Sequence, residues 1–425
     1  MIEKTLLTPA FTKRYYRFPA NEFKRGSVLR SVRLKHLKRR GDSFVCAEDV
    51  AKVYEIAAAP TKLFCTPSNN YAFRGNRLYF LEEGTSKTGF TSLNCMAEYA
   101  DADGTVFVAA VANSRCFKIA GTTVKTLSTT VGGTCAAFHH ERLFLGNGTR
   151  LYYSAAQGFD NIAVQDTQGA GYLDLPPDGL GEIEKIVPYR GKLYLFRRYG
   201  ITAFTGYADT LNFKLSNVNC GGGKILGDSV ACCGDKIYFF TERGLYAFDG
   251  SDCARLQDAE DEEIDLTAPV WGGSEGNDYF ASVLVGGARG LYSYDSEFSQ
   301  GRFINAPNDL LASCNEVYLL NGADVYKFNG QDVKYGDECA AELAIELPYD
   351  QKYEQYLESV TVEGEGRFTV TVSGGGASFA MRGDAGEFRL PKSLRGRAFG
   401  LKIAVGDKYF RFDGFVLGTR REKRL

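Results

Sequence analysis

The sequence predicts an all-β protein: a β-propeller of six or seven blades, preceded by a basic N-terminal arm and followed by a C-terminal β-sandwich. Three observations predict it. Short runs of β-branched and aromatic residues recur along the middle of the chain, each stopped by Gly or Asx-Gly. The composition holds 25 Tyr, 30 Phe and 48 Gly against three Met and one Trp, as expected of many short strands joined by tight turns. The recurring aromatics are spaced by intervals that match a four-stranded blade.

Taken in order, residues 1–45 form the arm. The first forty residues carry twelve Lys/Arg against Glu3 and Glu22, a balance of +10, whereas the remaining 38 basic and 50 acidic residues leave −12. Arg30, Arg33, Lys35, Lys38, Arg39 and Arg40 alternate with Val28, Leu29, Val32, Leu34 and Leu37 at a spacing that suits neither helix nor strand. An extended or conditionally ordered arm is expected, with its basic residues as interaction candidates.

Residues 46–338 are the propeller. Three segments align without gaps: Gly191-Lys-Leu-Tyr-Leu-Phe to Phe204-Thr-Gly206, Asp235-Lys-Ile-Tyr-Phe-Phe to Phe248-Asp-Gly250, and Asn315-Glu-Val-Tyr-Leu-Leu to Phe328-Asn-Gly330. Each reads as a β-hairpin. Gly200 and Gly244 fall at equivalent turn positions, where positive φ favours glycine; the third copy has Asp324 at that register and Gly322 two places earlier. With looser copies included, Tyr79, Phe107, Phe144, Tyr194, Tyr238, Phe280 and Tyr318 recur at intervals of 28, 37, 50, 44, 42 and 38. A blade takes roughly 40–50 residues, and one such sheet cannot bury both faces alone, so blades stack in a ring. A row of hairpins in a sandwich or solenoid is the competing reading.

Residues 339–425 alternate in apolar character at Phe368, Val370 and Val372 and again at Phe399, Leu401, Ile403 and Val405. Half-buried strands around the Gly374-Gly-Gly376 turn are expected, as a small β-sandwich. A basic tip with Arg420, Arg421, Lys423 and Arg424 ends the chain.

Motifs that could carry chemistry fall short. His139-His140 are neighbours in a strand and should point to opposite faces, which argues against a shared metal. Cys232-Cys233 fails in the same way. Gly221-Gly-Gly-Lys224 is followed by Ile225, not the Ser/Thr of a phosphate loop. Asp101-Ala-Asp103-Gly104 lacks a Glu at the twelfth position, which is Ala112. The acidic run from Asp258 to Asp265 reads as a solvated loop, and a single Trp271 cannot supply the repeated boxes of a propeller sialidase. The eleven Cys include no C-x-x-C pair and read as buried free thiols of a protein made in a reducing cytoplasm. No signal peptide or transmembrane span is expected from Met1 onward. No catalytic residue, metal or cofactor is expected.

Several stretches are similar to those of tailed-phage virion proteins. They are Ile201 to Gly206, Phe213, Gly221–Gly223, Gly234-Asp-Lys-Ile-Tyr-Phe-Phe240, Gly244-Leu-Tyr-Ala-Phe-Asp-Gly250, Arg142-Leu-Phe-Leu-Gly-Asn-Gly148 with Leu151-Tyr-Tyr-Ser154 and Gly158-Phe159, and Leu390-Pro391 to Arg395-Gly-Arg397, which resembles the accessory sandwich of such proteins. Residues 70–420 thereby resemble the propeller-bearing tail connector, stabilisation and nozzle proteins of short-tailed phages. The resemblance implies a non-enzymatic ring component that seals or extends the DNA exit channel. Its expected partners are other virion proteins, with transient contact to packaged DNA, no membrane anchor, and a homo-oligomeric ring in the particle. Its expected location is the virion, after synthesis in the host cytoplasm. A cellular protein-interaction propeller and a carbohydrate-binding propeller are the alternatives.

Overall fold

A computed structural model describes residues 11–17, 30–40, 43–47, 50–100, 104–128, 131–160, 162, 169–207, 209–218, 220–256, 264–297, 299–304, 306, 308–328, 341–347, 353–406 and 410–423. Apart from two single-turn 3-10 segments, its regular elements are strands. Six four-stranded antiparallel sheets stand as self-contained blades. Five of them are continuous in the chain: residues 62–88, 95–128, 135–174, 183–218 and 231–256. A further four-strand meander, residues 271–304, takes the next place in the ring, and its outer strand continues into the terminal sheet. The sixth self-contained blade closes the ring. Three of its strands lie in residues 310–328, and its outermost strand, Val50–Glu55, comes from before the first blade. Val50–Glu55 pairs antiparallel with Asp324–Phe328. Lys52 bridges Asp324 at 3.5 Å across that closure and Glu55 at 2.9 Å along its own strand.

Burial along each blade follows its place in the stack. The second strands, such as Val106–Val111, Lys192–Arg197 and Lys236–Thr241, are buried on both faces because a neighbouring blade covers each one. Their sequences therefore read as unbroken apolar runs. The outer strands, such as Thr85–Thr88 and Thr123–Ser128, are mostly exposed and polar. Aromatic rings fill the wedges between blades: Phe107, Phe138 and Phe159 pack with centroids 5.2–5.6 Å apart. Polar ties cross the same gaps. Tyr279 donates to the Ser229 carbonyl at 2.7 Å, and Tyr194 donates to the Gly250 carbonyl at 3.0 Å.

The hairpins expected over 191–206, 235–250 and 315–330 are the second and third strands of three blades. The seven recurring aromatics fall one per four-strand unit. Six lie on second strands. Tyr79 lies on a third strand, Arg77–Phe80, and the second strand of that blade, Asn70–Arg74, carries Tyr71 instead, which accounts for the short first interval. Gly244 has φ +115° as the turn requires. Gly200 does not have positive φ; a Cβ there would meet Leu180 Cδ2 at 3.0 Å, so close packing favours glycine at that position.

The terminal sheet runs in the order Arg30–Lys35, Ala341–Leu347, Phe399–Val405, Tyr353–Gly374, Arg411–Lys423, Ser43–Cys46, Leu37–Arg40. Its two end strands are the halves of one bent segment joined at His36, so the sheet curls round a single core. That core unites Leu34, Leu37, Phe44 and Cys46 with Leu343, Val360, Phe368, Leu401 and Phe415. Phe11–Arg17 pairs with Arg411–Lys423, and Ala377–Gly396 runs along Tyr353–Gly374 as a long, mostly exposed edge. Where a separate arm over residues 1–45 was expected, residues 30–46 supply three strands of the terminal sheet. The reason is the segment's own apolar residues: Leu34 and Leu37 enter the core at 2% exposure while Lys35 and Arg40 face solvent.

Candidate functional site: the basic seam between propeller and terminal sheet

The expected interaction residues all lie on strands of the terminal sheet. Lys35 stands opposite Phe303, the single parallel pair that welds the outer strand of the 271–304 meander to the terminal sheet. His36 follows with φ +55°, donates its backbone N–H to the Phe303 carbonyl at 2.6 Å, and accepts from the Ala47 N–H at 3.1 Å. This left-handed bend reverses the in–out alternation, which is why the segment matched neither strand nor helix periodicity. In register, Arg30 faces Glu346, Arg33 faces Ala344, Lys38 faces Val45, Arg39 faces Phe44 and Arg40 faces Ser43.

Arg420 and Arg421 belong elsewhere on the surface. They pair with Tyr356 and Gln355, eight and nine positions along the strand from Phe412, the residue that meets Phe44. At about 3.3 Å per residue this sets Arg420 roughly 26 Å along the strand from Phe412, where Phe44 lies opposite Arg39. The structure thus places the eight basic candidates as two groups.

Lys38 reaches a cavity of about 260 Å³ at the seam, lined also by Glu275, Asp278, Phe280, Arg302 and Phe328. Arg302 is 4% exposed. Its Nη2 meets Asp278 Oδ2 at 2.8 Å and its Nη1 lies 3.9 Å from Asp295 Oδ2. Burial pushes the Asp278 carboxyl above the usual range; Arg302 and Lys38 oppose that shift, while the Asp295 charge adds to it. Glu275 Oε2 accepts from the Val317 N–H at 2.8 Å, tying the meander to the closing blade. The Arg302 ion pairs lie within the 271–304 meander, and Lys38 brings the terminal sheet's charge to the cavity beside them. Sequence reasoning missed Arg302; its only signal is an arginine set between Gly301 and Phe303 in a strand.

The weaker motifs resolve locally. His139 and His140 do not point apart: His140 sits in a turn with φ +45°, and the two ring centroids lie 3.9 Å apart with the planes tilted by 47°. Burial and the neighbouring ring lower His139 to about 4, so it is neutral near pH 7. Cys232 is exposed and Cys233 buried, on opposite faces. Gly221–Lys224 carries the chain from one blade to the next. Asp265 accepts from the Thr267 N–H and hydroxyl as a turn cap. Residues 101–103 and 258–263 lie outside the described residues. Among the described residues, no three His, Cys, Asp or Glu side chains are grouped to hold a metal, and no helix is long and apolar enough to cross a membrane.

No family model matches the chain, and no curated protein does. Solved structures that it is similar to include the β-propeller domain of the Trilobed protease from Pyrococcus furiosus, at 10% identity and TM-score 0.39, covering 71% of this chain and 97% of that one. They include Pyrococcus horikoshii acylaminoacyl peptidase, at 9% identity and TM-score 0.40, covering 76% of this chain and 58% of that one. They also include YCF48 bound to D1 peptide, at 9% identity and TM-score 0.42, covering 68% and 97%.

Proposed function

We propose that the chain is a non-enzymatic structural protein of a tailed-phage virion. In this reading it forms part of the tail or connector, nozzle- or stopper-like, and docks neighbouring virion proteins to seal or conduct DNA. One observation carries it best. The propeller and the terminal sheet share a continuous strand-to-strand path through the Lys35–Phe303 pair, with a long strand edge, Ala377–Gly396, at the periphery. A stiff body with a projecting edge suits a part that must hold register against neighbours. The stretches that resemble virion propellers support the same assignment. The outward basic residues Lys35 and Arg40 suit an acidic protein surface, because a channel that lets DNA slide must not hold phosphates.

Proteomics of purified particles tests this reading. The chain is expected in intact virions in several copies. Turnover of sialosides, peptidoglycan or polysaccharide that is lost on mutating Glu262 or Asp265 would overturn it.

A further inference from the structure

Ala377–Gly396 pairs along one side with Tyr353–Gly374, and among the described residues no strand pairs with its other side. An open edge of this length is a template for a further strand, and proteins blunt such edges with proline, lysine and bulges. Here those devices sit at one end. Pro391 and Lys392 lie in the bulge that residues 390–393 make opposite Glu358. The stretch from Ala377 to Arg389 contains neither proline nor lysine.

A second irregularity sets the pattern of that stretch. Its pairing with the neighbouring strand shifts between Asp384 and Gly386, where Gly386 has φ +148°. The shift reverses the alternation of faces. Before it, Phe379 and Met381 pack on the terminal core while Ala380, Arg382 and Asp384 are exposed. After it, Phe388 is buried in the same core while Glu387 and Arg389 are exposed. Arg382 and Glu387 therefore share the solvent face, and Met381 and Phe388 share the core face. An unbroken strand would put the members of each pair on opposite faces.

This order makes the edge complementary to itself. A two-fold axis normal to the sheet sets two copies of the edge antiparallel and keeps every residue on its own face. With Arg382 opposite Glu387 of the second copy, Met381 falls opposite Phe388 and Gly383 opposite Gly386. Each pair shares a face, and the two-fold repeats each one. The ladder covers Ala380 to Arg389 and stops where Leu390 enters the bulge. Sliding the copies by two residues sets Arg382 against Arg389 and Asp384 against Glu387, like charge against like. Among the described residues Arg382 makes no ion pair within its own chain, whereas Asp384, nearest the axis, lies 3.8 Å from Arg367 Nε.

We propose that two copies of the chain associate at this edge, by antiparallel pairing of residues 380–389 with Arg382 of each copy opposite Glu387 of the other. Complementary charge and apolar pairs in one register favour a second copy over an unrelated strand. The pairing belongs to the free chain and stands apart from the virion reading.

Sedimentation equilibrium of the full chain tests it, with a reversible monomer–dimer equilibrium as the expected result. Arg382→Glu or Glu387→Arg alone should raise the dimer Kd at least about tenfold, because each turns two attractive pairs into repulsive ones. The double variant restores both pairs with their signs exchanged and should return to within about threefold of the unsubstituted value. In the unsubstituted chain, amides of residues 380–389 should exchange with deuterium more slowly at dimer-forming concentration than on dilution. A chain still monomeric at about 100 μM would overturn the proposal. So would a mass beyond the dimer, a double variant no better than the single ones, or a dimer indifferent to both single changes, as pairing through Phe11–Arg17 would give. If a single variant does not fold, the exchange of the unsubstituted chain decides.

Discussion

Replacing Arg197 by Met should destabilise the protein by about 3 kcal/mol, the lower end of the cost of breaking a buried ion pair. Arg197 ends a second strand at 1% exposure. Its guanidinium binds Asp178 twice, Nη1 to Oδ2 at 2.9 Å and Nη2 to Oδ1 at 2.9 Å. Its Nε donates to the Gly181 carbonyl at 2.9 Å. Met retains most of the apolar stem's volume, so the loss is polar: the Gly181 and Pro176 carbonyls, the Thr202 hydroxyl oxygen and the Asp178 carboxylate each lose a donor. Asp178 keeps about one fifth of its side chain in solvent and a bond from Asn217, which holds the cost below that of a sealed charge. Arg197→Lys should fall between, because an ammonium cannot span both carboxylate oxygens.

The pH dependence gives the experiment its sign. The Arg197 hydrogen bond first, and then bonds from Leu180 and Asn217, hold the Asp178 carboxyl at about 2, below its ordinary 3.8. A depressed carboxylate contributes its full stability above the unfolded value and loses it as pH falls toward the folded one. The gap between the unsubstituted protein and Arg197→Met in urea midpoint should therefore be constant from pH 5 to 7 and narrow between about pH 4 and 2. A midpoint unchanged at pH 7, or a gap that widens in acid, would refute the reasoning.

Further outcomes follow from other elements. Gly244→Val places a β-branched residue at φ +115° and should cost roughly 1–3 kcal/mol, read as a lower thermal midpoint. Tyr279→Phe removes the 2.7 Å bond to Ser229 from a fully buried site and leaves that carbonyl unpaired, at about 1–3 kcal/mol by denaturant titration. Removing residues 1–46 takes Leu34, Leu37, Phe44 and Cys46 out of the terminal core but leaves Val50–Glu55 to close the ring. Limited proteolysis should then degrade residues 341–423 and spare 50–328; survival of the terminal sheet would contradict the observed pairing.

The propeller was legible because its second and third strands are buried on both faces and carry one aromatic anchor each, as at Tyr194, Tyr238 and Tyr318. It blurred where anchors moved, as from Tyr71 to Tyr79, and where glycine served close packing, as at Gly200. The ring closure was harder to see. Val50–Glu55 is half-exposed and pairs with a strand some 270 positions later, a contact that no local pattern encodes. The basic segment misled for a physical reason: the bend at His36 breaks the alternation that would have marked Leu34 and Leu37 as core. At the seam, a buried arginine looks the same in sequence as an exposed one. Arg302 finds both of its carboxylates, Asp278 and Asp295, on other strands of its own meander, a pairing that only the folded sheet brings about.

Averaged imaging of purified tailed particles that contain this chain tests the virion assignment most directly. The account expects several copies arranged about the tail axis, each a propeller with the curled sheet fixed on its rim at the Lys35–Phe303 junction. A single copy lying off the axis, or particles that assemble and deliver DNA without the chain, would contradict it.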